Sequence, residues 1–224
     1  METEAKLAFK DKDSLYGFAS SDGFLKFCSG PSVPETVILG NSYLDTKDRD
    51  ISGRGGMIRV RHYGGAGNDR YEFTVKYGNK VSDGIHQRYE WNVDSNDGKF
   101  SVGEFKRLAS DEHQDVLSEV FGDIKDEDLM IICSNSFSRT VYELTCGKSV
   151  IEACFDSGII ESSDGLRTDE ICELELEIKS GETDDLKALT ALIIDMTGCV
   201  PFEDTKYRRT LAMATGDQDA KKCL

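Results

Sequence analysis

The stretch Glu173-Leu174-Glu175-Leu176-Glu177-Ile178-Lys179 alternates charged and apolar residues. Side chains of a β-strand point alternately to opposite faces, so this stretch predicts a strand with all its charge on one face and its apolar groups on the other. Glu2-Thr3-Glu4-Ala5-Lys6 and Ile58-Arg59-Val60-Arg61 follow the same pattern. Together, the three stretches indicate a sheet with one strongly charged face.

Further segments also place their charged groups on one face of a predicted strand, and two interpretations of that face are open. It can be the solvated side of an ordinary sheet packed on helices. Alternatively, the sheet closes on itself with the charge inside, forming a wet tunnel in which carboxylates hold hard divalent cations and Arg and Lys hold an oligophosphate. Solvent-exposed sheets usually mix signs, because like charges on neighbouring positions repel. The segregation of signs by strand therefore favours the tunnel.

Composition narrows the classes of protein. A chain of 224 residues with 38% apolar residues fits one large domain or two small ones. A membrane span and a secretory leader are not expected, because long apolar runs and a basic segment followed by an apolar one are missing. The net charge of -15 argues against a general nucleic-acid surface.

Cysteine and histidine usage also limits the kind of site. Seven scattered cysteines and three histidines predict neither a zinc site nor a disulfide scaffold. Cys154 and Cys172 lie in apolar strand patterns and are predicted to be small core residues. We expect a reduced, cytoplasmic protein.

The order of predicted elements indicates an α+β protein dominated by antiparallel strands, with a single domain over residues 1–212 and a tail over 213–224. Helices are predicted between Lys99 and Leu129 and from Asp184 onward. The sequence also predicts separate strands at Met130–Cys133 and Phe137–Leu144, hairpin turns at Gly64–Asp69 and Asp156–Gly158, and a last strand at Thr205–Ala212.

A series of motifs runs along nearly the whole chain in compatible order. It comprises Glu2-Thr3-Glu4-Ala5-Lys6, Tyr43-Leu44-Asp45-Thr46, Ile58-Arg59-Val60-Arg61, Thr74-Val75-Lys76, Arg88-Tyr89-Glu90-Trp91, Phe137-Ser138-Arg139-Thr140, Asp156-Ser157-Gly158-Ile159, Cys172–Gly181 and Thr205-Lys206-Tyr207-Arg208. This series resembles the CYTH family, also called the triphosphate tunnel metalloenzymes, and most closely its bacterial inorganic triphosphatase branch. Two positions depart from the pattern: Phe137 stands where other branches have a basic residue, and Arg209 where this branch usually has Gly.

The resemblance implies an eight-stranded antiparallel closed β-barrel with helices packed outside. The phosphate ligands it implies are Lys6, Arg59, Arg61, Lys76, Arg88, Arg139, Lys206 and Arg208. The implied ligands of one or two Mg²⁺ or Mn²⁺ ions are Glu2, Glu4, Glu173, Glu175, Glu177 and Asp156. Glu4, Lys76, Arg59 and Arg61 are expected to be catalytic. Glu72, Glu90 and Glu152, and also Asp156, are expected to pair with the cations.

The implied function is metal-dependent hydrolysis of inorganic tripolyphosphate to pyrophosphate and phosphate. The alternatives are a nucleoside or thiamine triphosphatase, a class IV adenylate cyclase, and a polyphosphate-binding module without turnover. Thiamine selectivity would need an aromatic ring inside the tunnel, whereas Trp91 alternates onto the outer face and no spare inward aromatic ring is expected. The expected partner is a small-molecule substrate, with neither nucleic acid nor membrane, and the expected assembly is a monomer or homodimer.

Overall fold

The computed structural model describes residues 2–29, 34–64, 70–82, 85–162 and 164–216. The strands of this part of the chain are β1 Glu2–Ala8, β2 Glu35–Asp45, β3 Gly56–Gly64, β4 Arg70–Ser82, β5 Ile85–Ser95, β6 Met130–Cys146, β7 Ser149–Glu161, β8 Thr168–Ser180 and β9 Val200–Pro201. Its α-helices are α1 Lys12–Ala19, α2 Asp22–Leu25, α3 Asp50–Gly53, α4 Val102–Leu108, α5 Gln114–Phe121, α6 Thr183–Thr197 and α7 Lys206–Thr215. Among the described helices, none has the length and apolar character needed to cross a membrane.

The long strands form one closed antiparallel barrel. They pair in the order β5-β4-β3-β2-β6-β7-β8-β1, and the pairing of β1 with β5 closes the ring. The two residues of β9 pair with the end of β1 at Leu7 and Ala8. The predicted α+β class and the predicted eight-stranded antiparallel barrel are confirmed. Residues 65–69 of the predicted hairpin turn lie outside the described residues.

The apolar faces of the strands point outward and are buried under helices. α1, α2 and α6 pack on one cluster, which includes Leu174 and Leu176 of β8, both fully buried. α4 and α5 pack on another, which includes Phe73 of β4 and Trp91 of β5. The Trp91 indole nitrogen donates a hydrogen bond of 2.9 Å to the carbonyl of Glu112. Each fully buried side chain of this size stabilises the fold by about 1.5–3 kcal/mol, so the burial of these apolar faces directs the charged faces inward.

Two strands are longer than the sequence predicted. Met130–Cys133 and Phe137–Leu144 belong to a single strand, β6, and Asp156–Gly158 lies inside β7 and not in a hairpin turn. Gly158 allows β6 and β7 to approach each other closely at this point. A Cβ atom on Gly158 would lie 2.7 Å from the Cβ of Phe137, its register partner on β6.

The predicted last strand at Thr205–Ala212 is wrong, because the chain forms helix α7 there. Thr205 caps the helix, and its side-chain oxygen accepts a hydrogen bond of 3.2 Å from the backbone nitrogen of Arg208. Side chains two residues apart on a helix point about 200° apart, so Lys206 and Arg208 do not share a face. α7 packs on β6, β7 and β8 and continues to Thr215, past the predicted start of a tail at 213.

Asp45, at the end of β2, shapes the turn that leads into β3. Its buried carboxylate accepts hydrogen bonds of 2.7–3.1 Å from the backbone nitrogens of Thr46, Ile51 and Ser52 and from the Ser52 hydroxyl. Ile51 and Ser52 lie in the first turn of α3, whose N-cap residue, Arg49, makes no capping bond with its side chain. Asp45 therefore supplies the cap that this helix lacks.

We expect Asp45→Asn to lower the free energy of unfolding by about 1–3 kcal/mol, because the new amide group faces backbone donors that then lose an acceptor. Urea unfolding measures the change, and Asp48→Asn at an exposed neighbouring position is the control. Equal stability of the Asp45 variant and the wild type would contradict the capping role.

Candidate active site

The interior of the barrel is a cavity of about 620 Å³ lined mostly by charged side chains. The predicted cations on its wall are Lys6, Arg59, Arg61, Lys76, Arg88, Arg139 and Lys206, and the predicted carboxylates there are Glu2, Glu4, Glu175 and Glu177. The prediction that the sheet closes with its charged faces inside is therefore confirmed, and the interpretation as a solvated open sheet is wrong. Arg208, Asp156 and Glu173 are not among the lining residues.

Glu2 and Glu4 of β1 share one arginine of β5. Arg88 donates from Nε to Glu2 over 2.6 Å and from a terminal nitrogen to Glu4. Lys76 also contacts Glu2, at 2.9 Å, and Lys6 lies 3.3 Å from Glu4. Burial would raise the pKa of Glu2, but Lys76 and Arg88 overcome this effect and hold it well below its usual value. Glu2 is therefore ionised at neutral pH.

Arg59 and Arg61 of β3 lie in a region with excess positive charge. Both approach Glu72 of β4, with nitrogen–oxygen distances of 3.2 and 3.7 Å. Burial lowers the pKa of Arg61, and the neighbouring Arg59 and Arg139 lower it further against the opposing effect of Glu72. The Nε of Arg59 is buried and has no hydrogen-bond partner among the described residues. A hydrogen-bond donor without a partner, in a region with excess positive charge, is suited to bind a polyanion.

Two buried asparagines connect Arg61 to helix α7. Asn41 accepts a hydrogen bond of 2.9 Å from Arg61 Nε, and it donates one of 2.9 Å to Asn135. Asn135 in turn donates to the hydroxyl of Thr210 over 2.7 Å. The alternation of charged residues does not predict this chain of amides, because its members are neutral. The position of Asn135, two residues before Phe137 on β6, was the available signal.

Arg139 and Lys206 share a group of carboxylates. Arg139 of β6 binds Asp156 of β7 with two hydrogen bonds of 2.6 and 2.7 Å and binds Glu175 with one of 2.5 Å. The Lys206 ammonium lies 2.8 Å from both Asp156 and Glu175 and 2.6 Å from Glu173. Burial would lower the pKa of Lys206, but these three carboxylates overcome it and hold the pKa well above its usual value. Asp156 and Glu173 thus lie behind the wall, bound to cations that line it.

Glu177 of β8 lies in the acidic part of the cavity. Strand register places it beside Glu4 of β1 and Glu152 of β7. Lys179 contacts Glu177 at 3.0 Å and Glu152 at 3.1 Å. Burial raises the pKa of Glu177 to about 7, and the nearby charge of Glu2 adds to the effect, although Lys179 opposes it. This part of the cavity therefore has excess negative charge, which suits a cation.

The carboxylates expected to pair with the cations do contact basic groups. Glu72 and Asp156 make the contacts described above, and Glu90 lies 2.8 Å from Lys76. The partner of Glu152 is Lys179, which was not predicted to bind phosphate. Arg208, which was predicted to bind phosphate, instead has its Nε 3.8 Å from a carboxylate oxygen of Asp204, just before α7.

Several aromatic rings line the cavity, where the sequence predicted no spare ring. They are Tyr43, Tyr63, Phe137 and Tyr207. Each ring already packs against a neighbour. The centroids of Tyr43 and Tyr207 are 5.0 Å apart, and the guanidinium of Arg70 lies 4.4 Å from the ring centroid of Tyr63. The ammonium of Lys206 lies 5.2 Å from the ring centroid of Phe137.

The two cysteines predicted to be core residues lie in different surroundings. Cys172 packs in the apolar cluster under α1, α2 and α6, as predicted. Cys154 is buried but lines the cavity, because it alternates onto the same face as Glu152 and Asp156. The six cysteines within the described residues are free thiols.

The donor chemistry of the cavity fits a hard divalent cation. Glu2, Glu4, Glu175 and Glu177 present carboxylate oxygens to one space. Within the described residues, no group of three or more acidic, histidine or cysteine side chains is gathered as a ready-made metal site. That arrangement suits Mg²⁺, which usually binds one or two carboxylates together with substrate phosphates and water.

Comparison with known sequences supports the same family. The profile of the CYTH domain matches residues 28–210. An inorganic triphosphatase of Haemophilus influenzae is 28% identical over 173 residues, which is 77% of this chain and 43% of that protein. The chain therefore spans less than half of the length of this relative.

Solved structures share the fold. The candidate adenylyl cyclase HpAC1 from Hippeastrum, for which a dominant triphosphatase activity is stated, superposes with a TM-score of 0.66 at 17% identity, covering 96% of this chain and 97% of the other. A candidate adenylate cyclase from Bacillus halodurans superposes with a TM-score of 0.53 at 17% identity, covering 93% of this chain and 96% of the other. With a profile match over most of its length and a closed barrel around a charged cavity, this chain belongs to the CYTH domain family.

Proposed function

We propose that this protein hydrolyses inorganic tripolyphosphate to pyrophosphate and phosphate inside its tunnel, with the help of Mg²⁺ or Mn²⁺. The observation that carries the proposal is a pair of opposite charge imbalances in one cavity. Arg59, Arg61 and Arg139 crowd positive charge, whereas Glu177 lies among carboxylates. A linear triphosphate with a divalent cation supplies the counter-charge for both regions. The activities named for the Haemophilus and Hippeastrum proteins support the choice of substrate class.

The cations of the wall would bind the phosphate groups. A tripolyphosphate carries several negative charges, and charge-assisted hydrogen bonds are stronger in a cavity that excludes bulk water. The proposed ligands are Lys6, Arg59, Arg61, Lys76, Arg88, Arg139 and Lys206. Arg208 is left out of this set because it does not line the cavity.

One or two carboxylates among Glu2, Glu4, Glu175 and Glu177 would hold the divalent ion, together with phosphate oxygens and water. A bound ion of this kind neutralises phosphate oxygens and lowers the pKa of a bound water. Asp156 would contribute indirectly, since both of its oxygens accept hydrogen bonds from Arg139. It fixes the direction of that guanidinium toward the cavity.

In the chemical step, a water oxygen would attack the terminal phosphorus in line with the bond to the bridging oxygen, and the water would give its proton to a carboxylate of the cavity. Pyrophosphate leaves with the electron pair of the broken bond. Arg59, Arg61 and Lys76 would stabilise the charge that develops on the transferred and leaving oxygens. Glu4 would act as the catalytic carboxylate by holding the ion in the reacting position.

The alternative substrates need contacts that the cavity does not offer freely. A nucleoside or thiamine group would stack on an aromatic face, yet the rings of Tyr43, Tyr63, Phe137 and Tyr207 already pack on neighbours. Formation of cyclic AMP in the assay would indicate a class IV adenylate cyclase, and binding without turnover would indicate a polyphosphate-binding module. We also propose a cytoplasmic location and a monomeric or homodimeric state.

Replacement of a metal-binding carboxylate should abolish turnover. We expect Glu4→Gln and Glu175→Gln to lower kcat by at least about 100-fold, because one ligand of the ion is lost. Stability should also fall, because Arg88 and Lys6 lose a counter-charge in the Glu4 variant. The measurement is phosphate release with Mg²⁺, with Mn²⁺ and with EDTA, and Glu119→Gln on the exposed side of α5 is the control. Full activity in EDTA would disprove metal catalysis.

Substrate choice should follow the triphosphate and not the group attached to it. We expect kcat/KM for tripolyphosphate to exceed that for ATP by at least about tenfold, a difference of about 1.4 kcal/mol in transition-state stabilisation. The reason is that a nucleoside replaces one charged end with a bulky group. Phosphate release from tripolyphosphate, ATP, thiamine triphosphate and pyrophosphate decides the point. Equal rates on ATP, or formation of cyclic AMP, would contradict this substrate assignment.

The stability of the metal-free protein should depend on Glu177. This residue keeps its proton up to a pKa of about 7 in the folded state, whereas the ordinary value is 4.5. The folded state therefore binds more protons between these values, and its stability falls as the pH rises through that window. Because glutamine does not titrate, Glu177→Gln removes this loss of stability.

The Tm advantage of Glu177→Gln over the wild type should accordingly grow from pH 4.5 to pH 7 in EDTA and then level off. A gain of about 2–4 °C corresponds to about 1 kcal/mol in a chain of this size. Thermal unfolding at several pH values measures it, with Glu161→Gln at an exposed position as the matched control. A constant difference across this range would refute the raised pKa.

A further inference from the structure

Glu173 differs from the two glutamates that follow it on the same face of β8. Glu175 and Glu177 line the cavity, whereas Glu173 is 1% exposed and lies outside the lining. Both of its oxygens are committed to cations of helix α7. One accepts a hydrogen bond from Lys206 over 2.6 Å, and the other accepts one from Arg209.

Arg209 is itself fixed by contacts with β8. It is 6% exposed, and its Nε donates to Asp169 over 2.7 Å. One terminal nitrogen donates to Glu173 and the other to the backbone carbonyl of Glu170. Arg209 lies three residues after Lys206, so both project from one side of α7. Arg209 does not line the cavity and therefore has no access to a substrate there.

We propose that Arg209 and Glu173 are positioning residues that set where the ammonium group of Lys206 lies in the cavity. Glu173 would then serve as an anchor for Lys206 and not as a ligand of the metal, which revises the role implied by the resemblance. It also gives a reason for Arg209, the residue that departs from the usual Gly. The proposal rests on the proposed function only in that Lys206 binds the triphosphate.

The charge balance of the cluster explains why Arg209 is needed. The Lys206 ammonium has three hydrogens to donate, and three carboxylates surround it: Asp156, Glu173 and Glu175. Arg139 compensates Asp156 and Glu175 from the other side. Among the described residues, Glu173 forms ion pairs with Lys206 and Arg209 alone. Without Arg209, the buried charge of Glu173 would draw Lys206 away from the cavity, because an unpaired buried carboxylate is costly.

The test compares Arg209→Met, Glu173→Gln and the double variant with the wild type. Isothermal titration calorimetry measures the affinity for tripolyphosphate in EDTA, where turnover does not interfere. We expect Arg209→Met to weaken binding about tenfold, the equivalent of one good charge contact. The double variant should recover to within about threefold of the wild type, because the two changes remove one charge of each sign from a coupled pair.

Arg54→Met is the matched control. Arg54 donates to backbone carbonyls at the end of α5, outside the tunnel, so its loss affects stability but should leave the affinity unchanged. Additive losses in the double variant, or an unchanged affinity of a folded Arg209→Met protein, would overturn the proposal.

Two readouts do not depend on the proposed substrate. Electron paramagnetic resonance of bound Mn²⁺ should show the affinity of Glu173→Gln within about twofold of the wild type, whereas Glu175→Gln binds more weakly. A crystal structure of Arg209→Met should show the Lys206 ammonium farther from Asp156 and Glu175, while it keeps its contact with Glu173. Loss of Mn²⁺ affinity in Glu173→Gln, or an unmoved Lys206, would refute the positioning role. A wild-type protein that binds no tripolyphosphate would contradict the proposed function, while these two readouts would still decide on the anchor.

Discussion

The fold depends on pairing opposite charges across neighbouring strands inside a closed barrel. A buried ion costs several kcal/mol unless a partner and hydrogen bonds compensate it. Along one strand the charges often share a sign, as with Glu2 and Glu4 on β1. Across strands they meet cations, since Arg88 on β5 binds both of these glutamates. Strand register therefore decides whether the buried charges meet their partners, because a shift by one residue would turn the charged face outward.

The compensation is incomplete in two places, and the proposed chemistry uses both. Burial is the largest cause of the raised pKa of Glu177 and of the lowered pKa of Arg61, and neighbouring like charges add to both shifts. Such shifts cluster at functional sites, where a protein keeps unfavourable charge for a ligand to neutralise. A divalent cation and a polyphosphate together provide both neutralising charges. The apolar clusters under the helices supply the stability against which this residual repulsion is held.

Alternation is a local pattern that assigns each side chain to a face, so the sequence could predict which charged residues lie together, whereas the closed eight-stranded barrel was implied by the resemblance to the CYTH family. What failed depended on longer-range packing. Asp156–Gly158 resembles a turn locally, yet Gly158 is required by the close approach of Phe137 on the neighbouring strand. Helix α7 was predicted to be a strand because Lys206 and Arg208 alternate in a run of only a few residues. Arg208, which the resemblance implied as a phosphate ligand, does not line the cavity, because it lies on a different face of α7 from Lys206.

The central claim is that one tunnel holds a triphosphate on its cations and a divalent ion on its carboxylates. Crystals grown with Mn²⁺ and tripolyphosphate, measured at the manganese absorption edge, test it most directly. We expect an anomalous peak about 2.0–2.6 Å from carboxylate oxygens among Glu2, Glu4, Glu175 and Glu177, with phosphate density in contact with Arg59, Arg61 and Lys206. Manganese bound outside the barrel, or tripolyphosphate bound only on its outer surface, would contradict it.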